Sequence, residues 1–86
     1  MSNKIKEMIS VNFIFDHTKR KSSIKSILWK KTLYKIDKNC LHHTYKNGDA
    51  LYHVFHVSCN TISFKILFDS SSLIWFLEEI YDQNLV

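Results

Sequence analysis

Cys40, His42, His43, His53, His56 and Cys59 lie within one stretch of the chain, and thiolates and imidazoles are the usual donors of a tetrahedral metal centre. Such a centre needs four donors converging on one point. Asn47-Gly48 suits the positive-φ positions of a hairpin turn, and a turn there brings His42 or His43 beside the strand that carries His53. Side chains alternate across a strand, so His53 and His56, an odd number of positions apart, face opposite ways, and so do the adjacent His42 and His43. At most two histidines and one cysteine converge. Cys40, His42, His53 and Cys59 are therefore only weak metal candidates, and scattered strand histidines are the simpler reading.

Other catalytic chemistry finds less support. Neither cysteine sits on a strand-to-helix elbow or beside a glycine-rich oxyanion loop, as an activated nucleophile requires. Gly48 is the single glycine, so no phosphate-cradling glycine loop exists. Glu78, Glu79 and Asp82 oppose no other acids, unlike the paired carboxylates of a glycosidase. Ser70, Ser71 and Ser72 read as a turn or a helix cap. These features point to a protein that is not an enzyme and holds no cofactor.

The basic residues are more informative. Lys19, Arg20, Lys21, Lys25, Lys30, Lys31, Lys35 and Lys38 fall in one stretch whose only acid is Asp37, and Trp29 and Tyr34 interleave with them. Cations that track a backbone beside aromatic rings that stack on bases suit a single-stranded nucleic acid. The same lysines also suit a solvated face, an edge strand guarded against aggregation, or an acidic protein partner. Lysine outnumbers arginine, which weakens base-specific readout. Over residues 1–50 the formal charge is +7, and over residues 51–86 it is −3.

At 86 residues, 45% hydrophobic and 14% aromatic, the chain fits one domain with a dense core. Residues 1–8 read as a mobile terminus or short helix, and nothing in them has the form of a secretory leader. Reduced thiols and a cytoplasmic setting are the expectation, and no apolar run is long enough to span a membrane. Residues 9–15 read as a strand, residues 24–29 and 33–37 as a hairpin about a tight turn at Lys30-Lys31-Thr32, residues 51–59 as a strand, and residues 61–68 as an alternating one. The last segment is ambiguous. Leu73, Phe76, Leu77, Ile80 and Tyr81 have the spacing of an amphipathic helix, and a final strand over residues 75–82 is the alternative.

Trp29, Tyr34 and Ile36, then the run Phe-Lys-Ile-Leu-Phe-Asp at residues 64–69, then Trp-Phe-Leu-Glu-Glu-Ile-Tyr-Asp at residues 75–82, resemble a family of small bacterial β domains of unknown function. The likeness covers roughly residues 24–82. The chain departs from the family's pattern in having one arginine and one glycine. Some members look to be linked to proteins resembling Y-family translesion polymerases. The resemblance implies that residues 75–82 form a strand, and it implies no activity.

The expected fold is a small antiparallel sheet or half-barrel of five to six strands, its terminal segment either the last strand or a packed helix. Phe13, Phe15, Ile27, Trp29, Tyr34, Ile36, Val54, Ile62, Phe64, Ile66, Phe68, Trp75 and Leu77 are the expected core. The expected function is a non-catalytic module that binds nucleic acid. A protein-interaction module or homodimer joined through an open sheet edge is the alternative, and a Cys/His metal protein the second.

Overall fold

Stretches whose side chains alternate between apolar and polar form strands because that period matches the pleat. A computed structural model describes residues 2–82, and all of its regular structure is strand. The elements are β1 (Ser2–Met8), β2 (Ser10–Asp16), β3 (Lys21–Trp29), β4 (Thr32–Lys35), β5 (Lys38–Asn47), β6 (Ala50–Cys59), β7 (Ile62–Asp69) and β8 (Ile74–Asp82). A five-stranded antiparallel sheet runs β1-β8-β7-β6-β5, and a three-stranded one runs β2-β3-β4. One residue separates β1 from β2 and two separate β4 from β5, so the eight strands form six arms of a meander, two of which bend from one sheet into the other.

The segment at residues 1–8, expected as a mobile terminus or short helix, is strand β1 from Ser2 onward and pairs with β8. Its polarity does not alternate cleanly because a register shift falls between Lys4 and Glu7, where Lys6 has φ 57°. The helical spacing at the C-terminal end also has a strand explanation. Between Lys65 and Ile66 the partner on β8 jumps from Glu79 to Leu77, leaving Glu78 as a bulge. A bulge adds one residue to one strand, so Leu77 and Ile80, three apart, reach the same face. Leu73, which would have begun a helix, sits in the turn with φ 61° and is 71% exposed.

Ile24, Ile27, Val57, Phe64, Ile66 and Leu77 form the buried cluster between the sheets. Full burial of an aliphatic or Phe side chain of this kind contributes about 1.5–3 kcal/mol. Val54 and Leu67 are buried as well and pair across β6 and β7. Trp29, Tyr34, Ile36, Ile62 and Trp75 pack half-buried against the cluster, as expected of core residues. Phe13 and Phe15 do not belong to it, being 40% and 60% exposed on the strand that leads to the free end of the β2–β3 hairpin.

Among the described residues five turns hold residues with positive φ, and two of them join strands by two-residue loops of note. Gly48 takes φ +64° just after Asn47 pairs with Ala50, so the turn is centred on Gly48-Asp49, one residue later than Asn47-Gly48. Lys30 and Lys31 adopt φ 50° and 64°, the double positive-φ signature of a type I′ hairpin turn built without glycine or asparagine.

The sheets are joined where the chain passes from β4 to β5. Ile36 N–H donates to the Lys25 carbonyl at 2.9 Å, and Asp37 N–H donates to the Ser58 carbonyl at 3.0 Å. The Asp37 carboxylate accepts the Asn60 N–H at 2.9 Å. The side chain of Asn39 then takes the place of a strand. Its Oδ1 accepts the Ile24 N–H at 2.9 Å, and its Nδ2 donates to the Ile24 carbonyl at 3.1 Å. Beyond Asn39 the sheets part. Asn39→Ala leaves both backbone groups of the fully buried Ile24 without these partners, and urea unfolding is expected to register a loss of about 1–3 kcal/mol at unchanged m-value.

Candidate nucleic-acid interface

Where the sheets diverge they leave an open cleft of about 820 Å³. One wall is the β2–β3 hairpin and its turn, and the other is the inner side of β5 and β6. Lys19, Arg20, Lys21 and Lys25 line the first wall, with Phe13 beside them. His42, His53 and Phe55 line the second. Asp16 is the only acid in the lining. Its Oδ1 accepts the Thr18 N–H at 3.0 Å and the Lys19 N–H at 3.4 Å, so it is occupied in shaping the turn that presents the cations. Arg20, at φ 52°, completes that turn.

The position of Lys25 follows from the second bulge. Asn12 pairs with Ser26 and Phe13 with Ile24, which leaves Lys25 unpaired on β3. The extra residue sends both Ile24 and Ile27 into the core and places Lys25 among the lining residues.

Hairpin register positions the other wall. β5 and β6 pair His42 with Phe55 and Thr44 with His53, which puts His42, His53 and Phe55 on one face. The His42 ring lies over Phe55 at 4.6 Å with 17° between planes. Phe13 reaches across from the other sheet to Phe55 at 5.8 Å and Trp75 at 5.5 Å. The floor of the cleft is thus formed by the rings of His53, His42, Phe55 and Phe13, and Trp75 backs them from outside the lining. His42 Nε2 and His53 Nδ1 are 2.9 Å apart, and the two rings are parallel within 3° at a centroid distance of 5.2 Å. A short N···N contact at that centroid distance means that the rings meet edge to edge. His43 and His56 form a separate pair, rings 5.6 Å apart, on the opposite face of the sheet.

The predicted basic stretch is therefore divided. Lys19, Arg20, Lys21 and Lys25 come together in the cleft. Trp29, Lys30, Lys31 and Tyr34 sit at the other end of β3, roughly 25 Å along the strand from Lys21. There Lys30 Nζ lies 5.0 Å from the Trp29 ring centroid and Trp29 Nε1 donates to the Glu7 carboxylate at 3.3 Å. Tyr34 packs edge-on against Phe64 at 5.2 Å. Lys35 pairs with Ser26 and Lys38 with Ser58, both outside the cleft lining.

The weak metal set does not gather either. His42 and His53 meet, whereas Cys59 is six residues beyond His53 on the same strand, roughly 20 Å away. Both cysteines are free thiols, Cys40 exposed and Cys59 half-buried. Among the described residues no three His, Cys, Asp or Glu side chains are arranged to hold a metal ion. Phe13 and Phe55 are site residues that the basic stretch did not indicate. Phe55 was recoverable from strand alternation, which puts it on the same face as His53 two residues away, but Phe13 reaches the site from the other sheet. Comparison with family models, curated proteins and solved structures finds no match.

Burial, and then the neighbouring His53 and His43, hold His42 below the ordinary imidazole pKa. Burial first, then His43 and Lys65, do the same for His56, partly offset by Glu79 and Glu78. Both groups favour the neutral form in the folded state, so the unfolded chain binds more protons through the imidazole range. Their contribution to stability is present above the ordinary imidazole value and is lost as pH falls through their lower folded-state values. The melting temperature is expected to fall between about pH 7.5 and about pH 5, before carboxylates titrate, and His42→Phe with His56→Phe should flatten that slope.

Proposed function

We propose that this protein is a non-catalytic module that binds single-stranded nucleic acid in the cleft between its two sheets. The observation that carries this reading is the convergence of Lys19, Arg20, Lys21 and Lys25 above a floor of rings that includes Phe13, His42 and Phe55. Cations on one wall suit the phosphates, and the ring floor suits unstacked bases; both modes tolerate any sequence. Duplex recognition is less well served, because no helix or projecting two-stranded ribbon rich in Arg is present among the described residues to enter a major groove. The resemblance to domains linked with translesion polymerases agrees with a role near single-stranded DNA.

A second reading has its own support. All ten residues of β5 are exposed, the strand is paired only with β6, and it carries no Lys, Arg, Asp or Glu between Lys38 and Lys46. An open edge of that kind accepts another strand, from a second copy or from a partner protein.

Fluorescence anisotropy with a labelled oligothymidine of about 16 nucleotides, at about 50 mM and about 200 mM salt, separates the two readings. Four phosphate contacts predict affinity about 50-fold weaker at the higher salt. Lys19→Glu with Lys21→Glu should weaken binding at least about tenfold, and Lys30→Glu with Lys31→Glu less than about twofold. Absence of salt-sensitive binding, together with a solution mass of twice 10.3 kDa, favours the edge-strand reading instead.

A further inference from the structure

We propose that the ring N–H edges of the His42–His53 pair add a phosphate contact to those of the cleft lysines, and that the pair takes up one proton from solvent when a phosphodiester docks. This rests on the reading of the cleft as a nucleic-acid interface.

The ring hydrogens of the pair determine what it offers a ligand. His42 Nε2 and His53 Nδ1 face each other at 2.9 Å, so one of them carries a hydrogen and the other is a bare lone pair. Two neutral imidazoles have two ring N–H hydrogens between them. One is used in the internal bond, which leaves one for the two outward nitrogens, His42 Nδ1 and His53 Nε2. The neutral pair therefore shows a ligand one donor and one lone pair. A single added proton keeps the internal bond, makes both outward nitrogens donors, and gives the pair one positive charge. A second added proton destroys the internal bond and sets two cations edge to edge. The arrangement thus has one favourable charged state, with two N–H groups held in a common plane.

A phosphodiester offers only acceptors. The neutral pair gives it one donor, at whichever end the tautomer places it, whereas the singly protonated pair gives a donor at each outer end and a positive charge, and charge-assisted hydrogen bonds of that kind are the stronger. The surroundings act in the same direction. Lys19 and Arg20 from the turn, and Lys21 and Lys25 from β3, share the cleft lining with the pair. Cys40 and His43 are its neighbours on β5, and β7 contributes the uncharged Phe68 ring at 6.1 Å from His53. Asp16 on β2 is the one anion, and it is occupied by backbone N–H groups. Burial of His42 and its closeness to two other imidazoles also favour the neutral form. A bound phosphate neutralises the lysines and adds an opposite charge. The face of Phe55, 4.6 Å beneath His42, is a further seat for an imidazolium.

The test is the pH dependence of oligothymidine binding at fixed ionic strength, from about pH 8 to about pH 6, with His53→Phe and His42→Phe beside the wild type. Circular dichroism checks that each variant keeps its strands. The expected wild-type result is affinity rising by up to about tenfold per pH unit across the imidazole range, the slope of one proton. Each variant is expected to bind with a slope at most about half as steep. Calorimetry in two buffers of different ionisation enthalpy should show uptake of about one proton by the wild type at neutral pH and at most about half of that by His53→Phe. Wild-type binding that is independent of pH, or variants that keep the full slope, overturns the proton-uptake proposal and leaves the interface standing. No binding at any pH overturns both.

Discussion

Where the two sheets separate, the side-chain amide of Asn39 holds the backbone of Ile24 by a donor and an acceptor at 3.1 and 2.9 Å. The position is demanding. Ile24 is fully buried, and the bulge at Lys25 interrupts the strand pairing beside it. Buried backbone groups must be paired, and here an amide with the same donor and acceptor as a peptide unit supplies the partner. One residue can thus end the contact between β3 and β5 without leaving polar groups stranded. The walls then diverge and the cleft becomes possible.

The rest of the site follows from that divergence. Core packing ends near Ile24, and beyond it the inner faces of both sheets turn toward water. Side chains that would otherwise be buried there are instead aromatic, imidazole or cationic. Phe13 bridges the sheets at the back of the cleft, and His42 and His53 share a hydrogen bond above Phe55. Lys19 and Arg20 are carried on a turn shaped by the Asp16 carboxylate. At the other end of β3 the arrangement is closed, because Trp29 and Tyr34 pack against Glu7 and Phe64.

Much of this was legible in the residues. The turn signal around Gly48 and the alternation of residues 61–68 marked β6 and β7, and side-chain alternation was enough to set His42 and His43, and likewise His53 and His56, on opposite faces. The bulges were not legible. A bulge turns a period of two into a spacing of three, so Leu77 and Ile80 imitate a helix, and Ile24 and Ile27 do the same within β3. β1 was hidden by its own irregularity at Lys6. The basic stretch from Lys19 to Lys38 read as one surface because its members are close in sequence. An extended strand of nine residues carries them apart, and only the part next to the β2–β3 turn reaches the cleft.

A nucleic acid held in the cleft touches one end of β3 and not the other. Amide and side-chain NMR shifts of the labelled protein, followed during addition of oligothymidine, test it residue by residue. The account predicts that Lys19, Arg20, Lys21, Lys25, His42, His53 and Phe55 move together and saturate together, while Trp29, Lys30, Lys31 and Tyr34 stay where they are. Shifts centred on Trp29 to Tyr34, or a saturating strand that leaves the cleft residues unmoved, would contradict it.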